Sequence, residues 1–120
     1  MTSVFQALSI VEPSGSLIAQ GVKTLEIRSW KPEYLPLKNL VIVENKNYLN
    51  HDDDQERGLA VAIIDIESIH AWQEGEVELA CASTWSEGYF AWVITNIRRI
   101  EPPIKTLAKR KIYLIDIEHT

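Results

Sequence analysis

Residues 21–30 combine side chains that could together hold an anion. The stretch reads Gly-Val-Lys-Thr-Leu-Glu-Ile-Arg-Ser-Trp. Because side chains alternate between the faces of a strand, we expect Thr24, Glu26 and Arg28 on one face, spaced by about 7 Å, with Lys23 at the preceding turn. Arginine offers a bidentate fork and lysine a point charge, while a carboxylate orients the arginine or accepts a hydrogen bond from a base or amine. The stretch therefore predicts an anion site, and the alternative for Glu26 and Arg28 is an ordinary surface salt bridge.

The sequence lacks the common metal and cofactor motifs. His51, His70 and His119 have no histidine four residues away and no second cysteine nearby, so we expect no zinc site. The acidic residues 52–56 lack the turn glycine and the final glutamate of a calcium loop, and we expect a solvated turn there. No glycine-rich phosphate loop or dinucleotide fingerprint occurs, which predicts a protein without a cofactor. Cys81 stands among apolar neighbours and is expected to be a buried structural thiol.

Local patterns around residues 21–30 predict the elements that would position them. Phe5–Val11 is predicted as a first strand, and Glu12-Pro13-Ser14 begins a short helix because proline fits the first helical turn. Gly21 ends that helix, since glycine suits the left-handed cap. The alternation of apolar and polar side chains over Thr24–Trp30 then predicts a second strand.

The rest of the chain is predicted as strands separated by turns. The strands are Leu40–Glu44, Leu59–Ile66, Tyr89–Ile100, which Pro102-Pro103 ends, and Lys111–Ile117. An exposed turn is expected at His51–Gly58, and Trp72–Ser83 is expected to be a loop with a short helix. Five or six strands without regular strand-helix alternation indicate an α+β fold with a curled, mostly antiparallel sheet or small barrel and one or two short helices. No linker or repeat divides the chain, so residues 1–120 are predicted to form a single domain.

Composition places the chain among globular proteins of one domain. Its 120 residues are 46% hydrophobic and 24% charged, an ordinary mixture that can bury a core. The longest apolar run, Leu59–Ile64, is too short to cross a bilayer and no leader pattern is present, so we expect neither a membrane protein nor a secreted one. A single cysteine excludes an internal disulfide and fits a reducing cytoplasm.

The net charge of −5 argues against non-specific wrapping of DNA, but the charges are unevenly distributed. Residues 52–87 contain ten acidic side chains and one basic one, whereas residues 98–111 contain six basic side chains and one acidic one. Such a charge dipole would let one face meet a phosphate while the rest of the protein repels it. The alternative is that both stretches are solvated surface.

Several segments, in order along nearly the whole chain, resemble the ASCH (activating signal cointegrator homology) domain, a PUA-like β-barrel. They are Leu8-Ser9-Ile10, the helix start at Pro13, Gly21-x-Lys23-x-x-Glu26-x-Arg28-Ser29-Trp30, Phe90-Ala91-Trp92-Val93-Ile94 and Glu101-Pro102-Pro103-Ile104. The resemblance implies a small, mostly antiparallel PUA-like barrel with a cleft between the barrel and the helix. It also implies RNA or a nucleotide or nucleoside as the ligand, because PUA-like domains commonly bind RNA.

The resemblance also implies which side chains contact the ligand. The implied set comprises Lys23, Glu26 and Arg28 at the mouth of the cleft, together with Ser9 and Trp30. Related domains tend to carry a basic turn before the last strand. The basic cluster Lys109-Arg110-Lys111 is therefore expected near the cleft, in contact with the phosphates of a nucleic-acid backbone.

Aromatic residues are expected to divide between the cleft and the core. Many members of the family have an aromatic residue after the proline that begins the helix, whereas serine and glycine follow it here. Trp30 is therefore expected to supply base stacking, with Trp85 and Tyr89 as the next candidates. Phe90 and Trp92 alternate in a strong strand pattern and are predicted to lie in the core.

Two other functions stay open beside binding. The resemblance allows a small hydrolase, either a ribonuclease or an amidohydrolase of N4-acetylcytidine that uses a lysine, a threonine and a glutamate. Lys23 matches that lysine, but Glu26 stands at the threonine position. Either Thr24 would reach in as the nucleophile, or Glu26 would activate water while Lys23 steadies the oxyanion. The coactivator branch of the family suggests instead a protein-interaction module, in which the acidic residues 52–87 dock a basic partner.

Overall fold

Residues 2–118 are described by the computed structural model, and they form six strands and one short α-helix. In chain order the elements are β1 (Thr2–Val11), α1 (Ser14–Ala19), β2 (Leu25–Arg28), β3 (Leu37–Asn45), β4 (Gln55–Ala71), a single 3-10 turn (Glu74–Glu76), β5 (Phe90–Lys109) and β6 (Ile112–Glu118). The strands form one sheet in the order β2-β5-β4-β3-β1-β6. Neighbouring strands are antiparallel except β1 and β3, whose parallel pairing uses α1 and β2 as the crossover between them.

The long strands β4 and β5 curl the sheet into a half-barrel. They span 17 and 20 residues. Their pairing register shifts at three places, between Ala60 and Ala62, between Ile63 and Asp65, and between Ile66 and Ser68. β-Bulges at such shifts bend a strand and increase its twist, so the sheet turns on itself. The α+β class and the curled, mostly antiparallel sheet predicted from the sequence are therefore confirmed.

The buried Asp65 on β4 ties β3 and β5 together where their backbones are irregular. Its carboxylate accepts hydrogen bonds from the backbone N–H of Asn39 (3.0 Å), from Nδ2 of Asn96 (3.0 Å) and from Nη2 of Arg98 (2.8 Å). Asn39 and Asn96 have φ angles of 57° and 52°, in the left-handed region that asparagine tolerates. The Asn39 N–H lowers the pKa of Asp65 to about 2, helped by Asn96 and Arg98 against the effect of burial.

Apolar side chains on both faces of β3 form the core. On one face, Leu40 and Ile42 pack in the cluster that includes α1. On the other face, Val41 and Val43 pack inside the half-barrel. Trp92 is fully buried in the first cluster, which confirms the core position predicted for it. Helix α1 is thus fixed on the outer face of the sheet, next to the ends of β1 and β3.

A carboxylate from β3 holds the start of α1. Glu44 accepts hydrogen bonds from the backbone N–H of Ser16 at 2.6 Å and from the Ser16 hydroxyl at 2.7 Å. The first N–H groups of a helix have no acceptor within the helix, and Glu44 supplies one of them with an acceptor. Gly15 is buried here, and a Cβ at this position would lie 2.8 Å from Cβ of Glu44. Gly21 adopts a φ of 77° after the last turn, which confirms the predicted end of the helix.

The free energy of unfolding of the variant Gly15→Ala is expected to be about 1–2 kcal/mol lower than that of the wild type. The added methyl group overlaps Glu44, and the better helix propensity of alanine offsets only part of that cost. Gly75→Ala is the matched control, because a Cβ at Gly75 would meet nothing within 4 Å. Urea unfolding followed by tryptophan fluorescence measures both variants. Equal midpoints for the two would contradict the close packing of α1 on β3.

The predicted end of β5 at Pro102-Pro103 is wrong. The strand continues to Lys109, because residues 100–103 lie opposite the single residue Val61 in the ladder with β4. Proline has no N–H to donate, and residues in a bulge of this kind need not donate a hydrogen bond to the neighbouring strand. The extra length of β5 carries the chain back to the edge of α1, where the basic turn predicted to bind phosphate begins.

Two smaller predictions also differ from the structure. Strand β4 begins at Gln55, inside the segment 51–58 that was expected to be an exposed turn, because this part of the chain pairs with the extended end of β5. Cys81 is exposed and not buried, in a turn where its φ is 53°. The 3-10 turn at Glu74–Glu76 falls in the loop where a short helix is predicted.

Candidate functional site

A cleft of about 830 Å³ lies between β1, the start of α1, β2 and the turn that joins β5 to β6. The lining side chains that bear on its chemistry are Ser9, Glu26, Arg28, Trp30, Tyr48, Tyr89 and Lys109 to Lys111. A volume of this size is ordinary for small-molecule sites, which enclose about 300–1,000 Å³. The cleft is therefore large enough for a ligand with one or two rings and a charged group.

The floor of the cleft is an ion pair from β2, with a buried carboxylate and a partly buried guanidinium. Glu26 is 6% exposed, and its Oε2 accepts a hydrogen bond from Nε of Arg28 at 2.8 Å. Nη2 of Arg28 donates to the backbone carbonyl of Ser9 on β1 at 2.9 Å, which fixes the guanidinium in place. The two side chains lie on the same side of β2, as the alternation of the strand predicts. Together they present carboxylate oxygens beside guanidinium N–H groups.

Trp30 forms one wall of the cleft. Its indole meets that of Trp92 edge to face, with centroids 5.0 Å apart and an interplanar angle of 86°. Nζ of Lys111 lies 5.8 Å from the centroid of Trp30, within the range of a cation-π contact. Tyr89 and Tyr48 also line the cleft and are 42% and 80% exposed. The cleft thus offers several aromatic surfaces near its opening.

The turn from β5 to β6 forms a basic rim, defined here as Lys109 to Lys111. The backbone N–H of Lys109 donates to Oγ of Ser9 at 3.1 Å, and Nη1 of Arg110 pairs with Oδ1 of Asp52 at 2.8 Å. Lys111 adopts a φ of 56°, a left-handed conformation that glycine takes up more easily. These contacts hold three consecutive cations at the edge of the cleft.

The Ser9 side chain supports this rim. Its Oγ lies 2.7 Å from the hydroxyl of Tyr113 on β6, and that hydroxyl donates to the carbonyl of Leu107 at 3.1 Å. Burial raises the pKa of Tyr113, so its hydroxyl keeps its proton across the physiological range. The Ser9 hydroxyl is therefore committed to the turn, while the Ser9 carbonyl is committed to Arg28.

A loop over residues 46–54 carries Tyr48 to the opposite edge of the cleft, and Glu56 organises this loop. Oε1 of Glu56 accepts the backbone N–H of Asn47 and Nδ2–H of the buried Asn45, each at 2.8 Å. Hydrogen bonds from Asn47 and then from Asn45 lower the pKa of Glu56 to about 2. The carboxylate therefore stays charged, and able to hold the loop, until the pH falls well below 4.5, the ordinary pKa of a glutamate.

The cleft is cationic although the protein as a whole is acidic. Four cationic side chains line it, those of Arg28 and the basic rim, against two carboxylates, Glu12 and Glu26. The chain as a whole carries a formal charge of −5. A concave surface with this balance attracts anions, while the rest of the surface repels them.

The family model of the ASCH domain matches residues 8–104, a range that contains the β2 motif, α1 and most of β5. The chain belongs to the ASCH domain family. The resemblance carried by the motif of residues 21–30 is therefore confirmed, and ASCH is a PUA-like family often linked to RNA binding. A search of the curated proteins finds no match to this ASCH domain. The matched range stops before the basic rim, so the position of the rim at the cleft is a finding of the structure.

The described part of this ASCH domain contains neither a membrane-spanning helix nor a cluster of metal-ligating side chains. Between residues 2 and 118, no helix is long and apolar enough to span a membrane. No group of three or more histidine, cysteine, aspartate or glutamate side chains in the same range could hold a metal ion. His119 lies outside the described residues.

Lys23 of this ASCH domain lies behind the floor of the cleft and not at its mouth. Its side chain is 7% exposed, with Nζ 2.5 Å from the carbonyl oxygen of Ala80 and 3.5 Å from Oε1 of Glu26. Strand β2 begins only at Leu25, so Lys23 belongs to the turn before it and does not line the cleft. The lysine therefore reaches the cleft only through the carboxylate of Glu26.

Thr24 also lies outside the cleft, although the sequence predicts it on the face of Glu26. It precedes β2, and its backbone N–H donates to the carbonyl of Leu79 at 2.9 Å. Its own carbonyl accepts the N–H of Ile94 at 3.1 Å. The alternation therefore starts one residue later than predicted, and Glu26 and Arg28 are the motif side chains that face the cleft together.

Two aromatic residues have positions that the sequence does not indicate. Trp85, expected as a stacking candidate, donates its Nε1–H to the carbonyl of Trp72 at 3.0 Å and packs in a separate apolar cluster away from the cleft. Tyr48, which has no predicted role, lines the cleft and is largely exposed. The residues around Tyr48 show no strand or helix periodicity, and the repeated asparagines nearby indicate only a turn.

Proposed function

We propose that this ASCH domain binds single-stranded RNA and holds one of its nucleotides in the cleft. The observation that carries the proposal is the ion pair of Glu26 and Arg28 on the floor of a cleft whose edge is the basic rim. Groups that can hydrogen-bond a base and cations that can bind its phosphate therefore lie within one cleft. The link between the family and RNA supports the same class of ligand.

The floor suits the polar edge of a nucleobase. Glu26 offers hydrogen-bond acceptors directly beside the donors of Arg28. Nucleobases carry N–H donors next to carbonyl or ring-nitrogen acceptors, and carboxylate and arginine side chains are common partners for these groups. In RNA the Watson-Crick edge is free where the bases are unpaired, in loops, bulges and ends. An unpaired base is therefore the ligand that this floor fits best.

The wall and the rim suit the rest of the nucleotide. An aromatic side chain that stacks on a base contributes about 1–3 kcal/mol, and Trp30, Tyr48 and Tyr89 are placed for such contacts. The ammonium groups of Lys109 and Lys111 have no acidic partner within 4.0 Å among residues 2–118, so both charges are available to a phosphate. Binding that uses these charges is expected to weaken as salt is added.

The variant Arg28→Ala is expected to weaken RNA binding by about tenfold or more. It removes a charged donor to the base and leaves the carboxylate of Glu26 without its partner on the cleft side. Fluorescence anisotropy of a labelled single-stranded RNA of mixed sequence, measured over a salt series, gives the affinity and its salt dependence. The same oligonucleotide as DNA tests whether the 2′-hydroxyl matters.

Arg99→Ala is the matched control for this experiment. It removes an arginine that is also paired with an acid, since Nε of Arg99 lies 3.0 Å from Oε2 of Glu101, but it lies outside the cleft. The proposal fails if Arg28→Ala and Arg99→Ala weaken binding equally. It also fails if the wild type does not bind RNA at low salt.

The hydrolase alternative receives less support from the geometry. It needs a nucleophile and a base at one reacting atom, together with a group for the oxyanion. Lys23 and Thr24 do not line the cleft, so they do not converge with Glu26 on a ligand there. Release of cytidine from N4-acetylcytidine, followed by chromatography, is the measurement that would favour hydrolysis over binding alone.

The interaction-module alternative needs an acidic face, and the acidic side chains of residues 52–87 are not all available for one. Asp65 is buried in the sheet, and Glu56 is bound to the loop that it organises. Asp52 is paired with Arg110, and Glu76 accepts hydrogen bonds from His70. Several acids of this stretch are engaged in separate contacts within the protein and do not form one free acidic face. We therefore propose RNA and not a basic protein as the ligand.

A further inference from the structure

A groove of about 480 Å³ adjoins the cleft on the outer surface of the sheet. The end of β3, the start of β4 and the second half of β5 form it. Glu12 and Asn45 line both the groove and the cleft, so the two depressions are continuous across these residues. A ligand longer than one nucleotide could therefore pass from one into the other.

The groove gathers cations that have no acidic partner. Lys46, Arg57 and Lys105 line it, and none of them lies within 4.0 Å of a carboxylate among residues 2–118. Among the lysines and arginines of the described residues, three others have no acidic partner by the same criterion, Lys31, Lys109 and Lys111. Two of those three belong to the basic rim of the cleft. The available positive charge of this acidic protein is thus concentrated along the cleft and the groove.

The two acids in the groove cancel only part of this charge. Both carboxylate oxygens of Glu44 accept hydrogen bonds at the start of α1, one from the backbone N–H of Ser16 and the other from its hydroxyl. Glu12 lies at the junction with the cleft. Three cations therefore stand against two carboxylates in the groove, and one of those carboxylates is held at the start of α1.

Strand pairing sets the spacing of the cations. Arg57 pairs with Leu107 and Leu59 pairs with Lys105, so Arg57 and Lys105 stand on one diagonal of the β4–β5 ladder. Diagonal neighbours are about 7–8 Å apart, a separation that successive phosphates of an extended strand can match. Leu59 and Leu107, on the other diagonal, are 41% and 43% exposed. The groove thus alternates charged and apolar contacts, as a strand alternates phosphates with sugars and bases.

We propose that this groove is a second subsite, which binds backbone phosphates of the RNA strand next to the nucleotide in the cleft. The inference rests on the proposed function of the cleft. An acidic peptide would also meet the three cations, but the continuity of the groove with a cleft that fits a base favours one strand spanning both.

The test compares a mononucleotide with a single-stranded RNA of about 12 nucleotides, a length within the span of common single-strand sites. The wild type is expected to bind the longer RNA more tightly. The variant Lys46→Ala/Arg57→Ala/Lys105→Ala is expected to lose about tenfold in affinity for it and to keep its affinity for the mononucleotide. Its plot of log affinity against log salt should be shallower by about 2, because three phosphate contacts to a single strand are gone.

Two further variants make this result specific. Lys31→Ala/Lys38→Ala/Arg99→Ala removes the same net charge outside the groove and the cleft, and it is expected to bind the longer RNA nearly as the wild type does. Lys46→Arg/Arg57→Lys/Lys105→Arg keeps the charges in the groove and is expected to keep the gain from length. Lys46, Arg57 and Lys105 are exposed, and thermal melting checks that each variant is folded.

The outcomes separate the groove from the cleft. Equal losses in the groove variant and in the charge-matched variant would overturn the subsite, as would competition by poly-glutamate as strong as that by RNA. An unchanged affinity of the groove variant for the longer RNA would also overturn it and leave the cleft untouched. If Arg28→Ala has no effect while the groove variant loses the longer RNA, the cleft proposal fails and the groove remains an RNA-binding surface.

Discussion

Replacing Asp65 by alanine is expected to lower the free energy of unfolding by about 3–5 kcal/mol. The carboxylate is 4% exposed and accepts hydrogen bonds from Asn39 on β3 and from Asn96 and Arg98 on β5. Its removal leaves the backbone N–H of Asn39 and the side-chain amide of Asn96 without these acceptors, and leaves Arg98 without its acid. Both asparagines also hold left-handed backbone conformations that these bonds help to maintain. The register of both neighbouring strands therefore depends on this side chain.

Chemical unfolding in urea, followed by tryptophan fluorescence, measures this loss. Asp116→Ala removes an exposed acid from β6 and is expected to change stability by less than about 0.5 kcal/mol. A change for Asp65→Ala as small as that of Asp116→Ala would contradict the role of Asp65 as a link between strands.

The contribution of Asp65 to stability depends on pH in a defined direction. Its pKa is lowered from 3.8 to about 2, so the folded state favours the charged form. This contribution, about 2 kcal/mol, is complete only above about pH 5 and is lost as the pH falls from there through about 2. The stability difference between the wild type and Asp65→Asn should therefore narrow over that interval.

The variant Lys23→Met is expected to lose about 2–4 kcal/mol of stability while its RNA affinity falls less than that of Arg28→Ala. Methionine fills similar space but leaves the carbonyl of Ala80 and Oε1 of Glu26 without a buried charged donor. Glu26 keeps its bond to Arg28, and the surface of the cleft itself is unchanged. Lys23 is thus expected to act as a positioning residue beneath the floor.

Lys38→Met is the matched control for that variant. Nζ of Lys38 lies 3.7 Å from Oδ2 of Asp65, a distance close to that between Lys23 and Glu26, but its side chain is 65% exposed. Exposed pairs contribute about 0–1 kcal/mol, so a small change is expected. Thermal melts give the stabilities, and anisotropy well below each melting temperature gives the affinities. A Lys23→Met protein as stable as Lys38→Met, with RNA binding abolished, would instead make Lys23 a ligand contact.

Parts of the fold could be predicted because single residues mark them. Pro13 and Gly21 bracket α1, since proline fits the first turn and glycine takes the φ of 77° that follows the last one. The alternation of β2 places Glu26 and Arg28 on one side, and the strong pattern around Trp92 places that ring in the core. In each case a local pattern in the sequence is enough to predict the feature.

Other features depend on partners far away in the chain, and the sequence could not indicate them. Lys23 is held by the carbonyl of Ala80, 57 residues later, so its burial follows from the packing of another loop. Strand β5 continues through its prolines because β4 leaves residues 100–103 unpaired. Tyr48 reaches the cleft because Glu56, in the next strand, accepts hydrogen bonds from Asn45 and Asn47 just before it. These positions are set by tertiary contacts that no local periodicity encodes.

The Ser9 hydroxyl has a consequence for folding kinetics. It joins β1 to Tyr113 and to the backbone of Lys109, partners that are 104 and 100 residues away. Closing loops of this length costs chain entropy before any contact is gained, and folds dominated by such pairings form slowly. We therefore expect the β4–β5 hairpin to form early and the strands β1 and β6 to dock late. Because the rim is tied to Ser9, the recovery of RNA binding during refolding should report the slowest step rather than the first collapse.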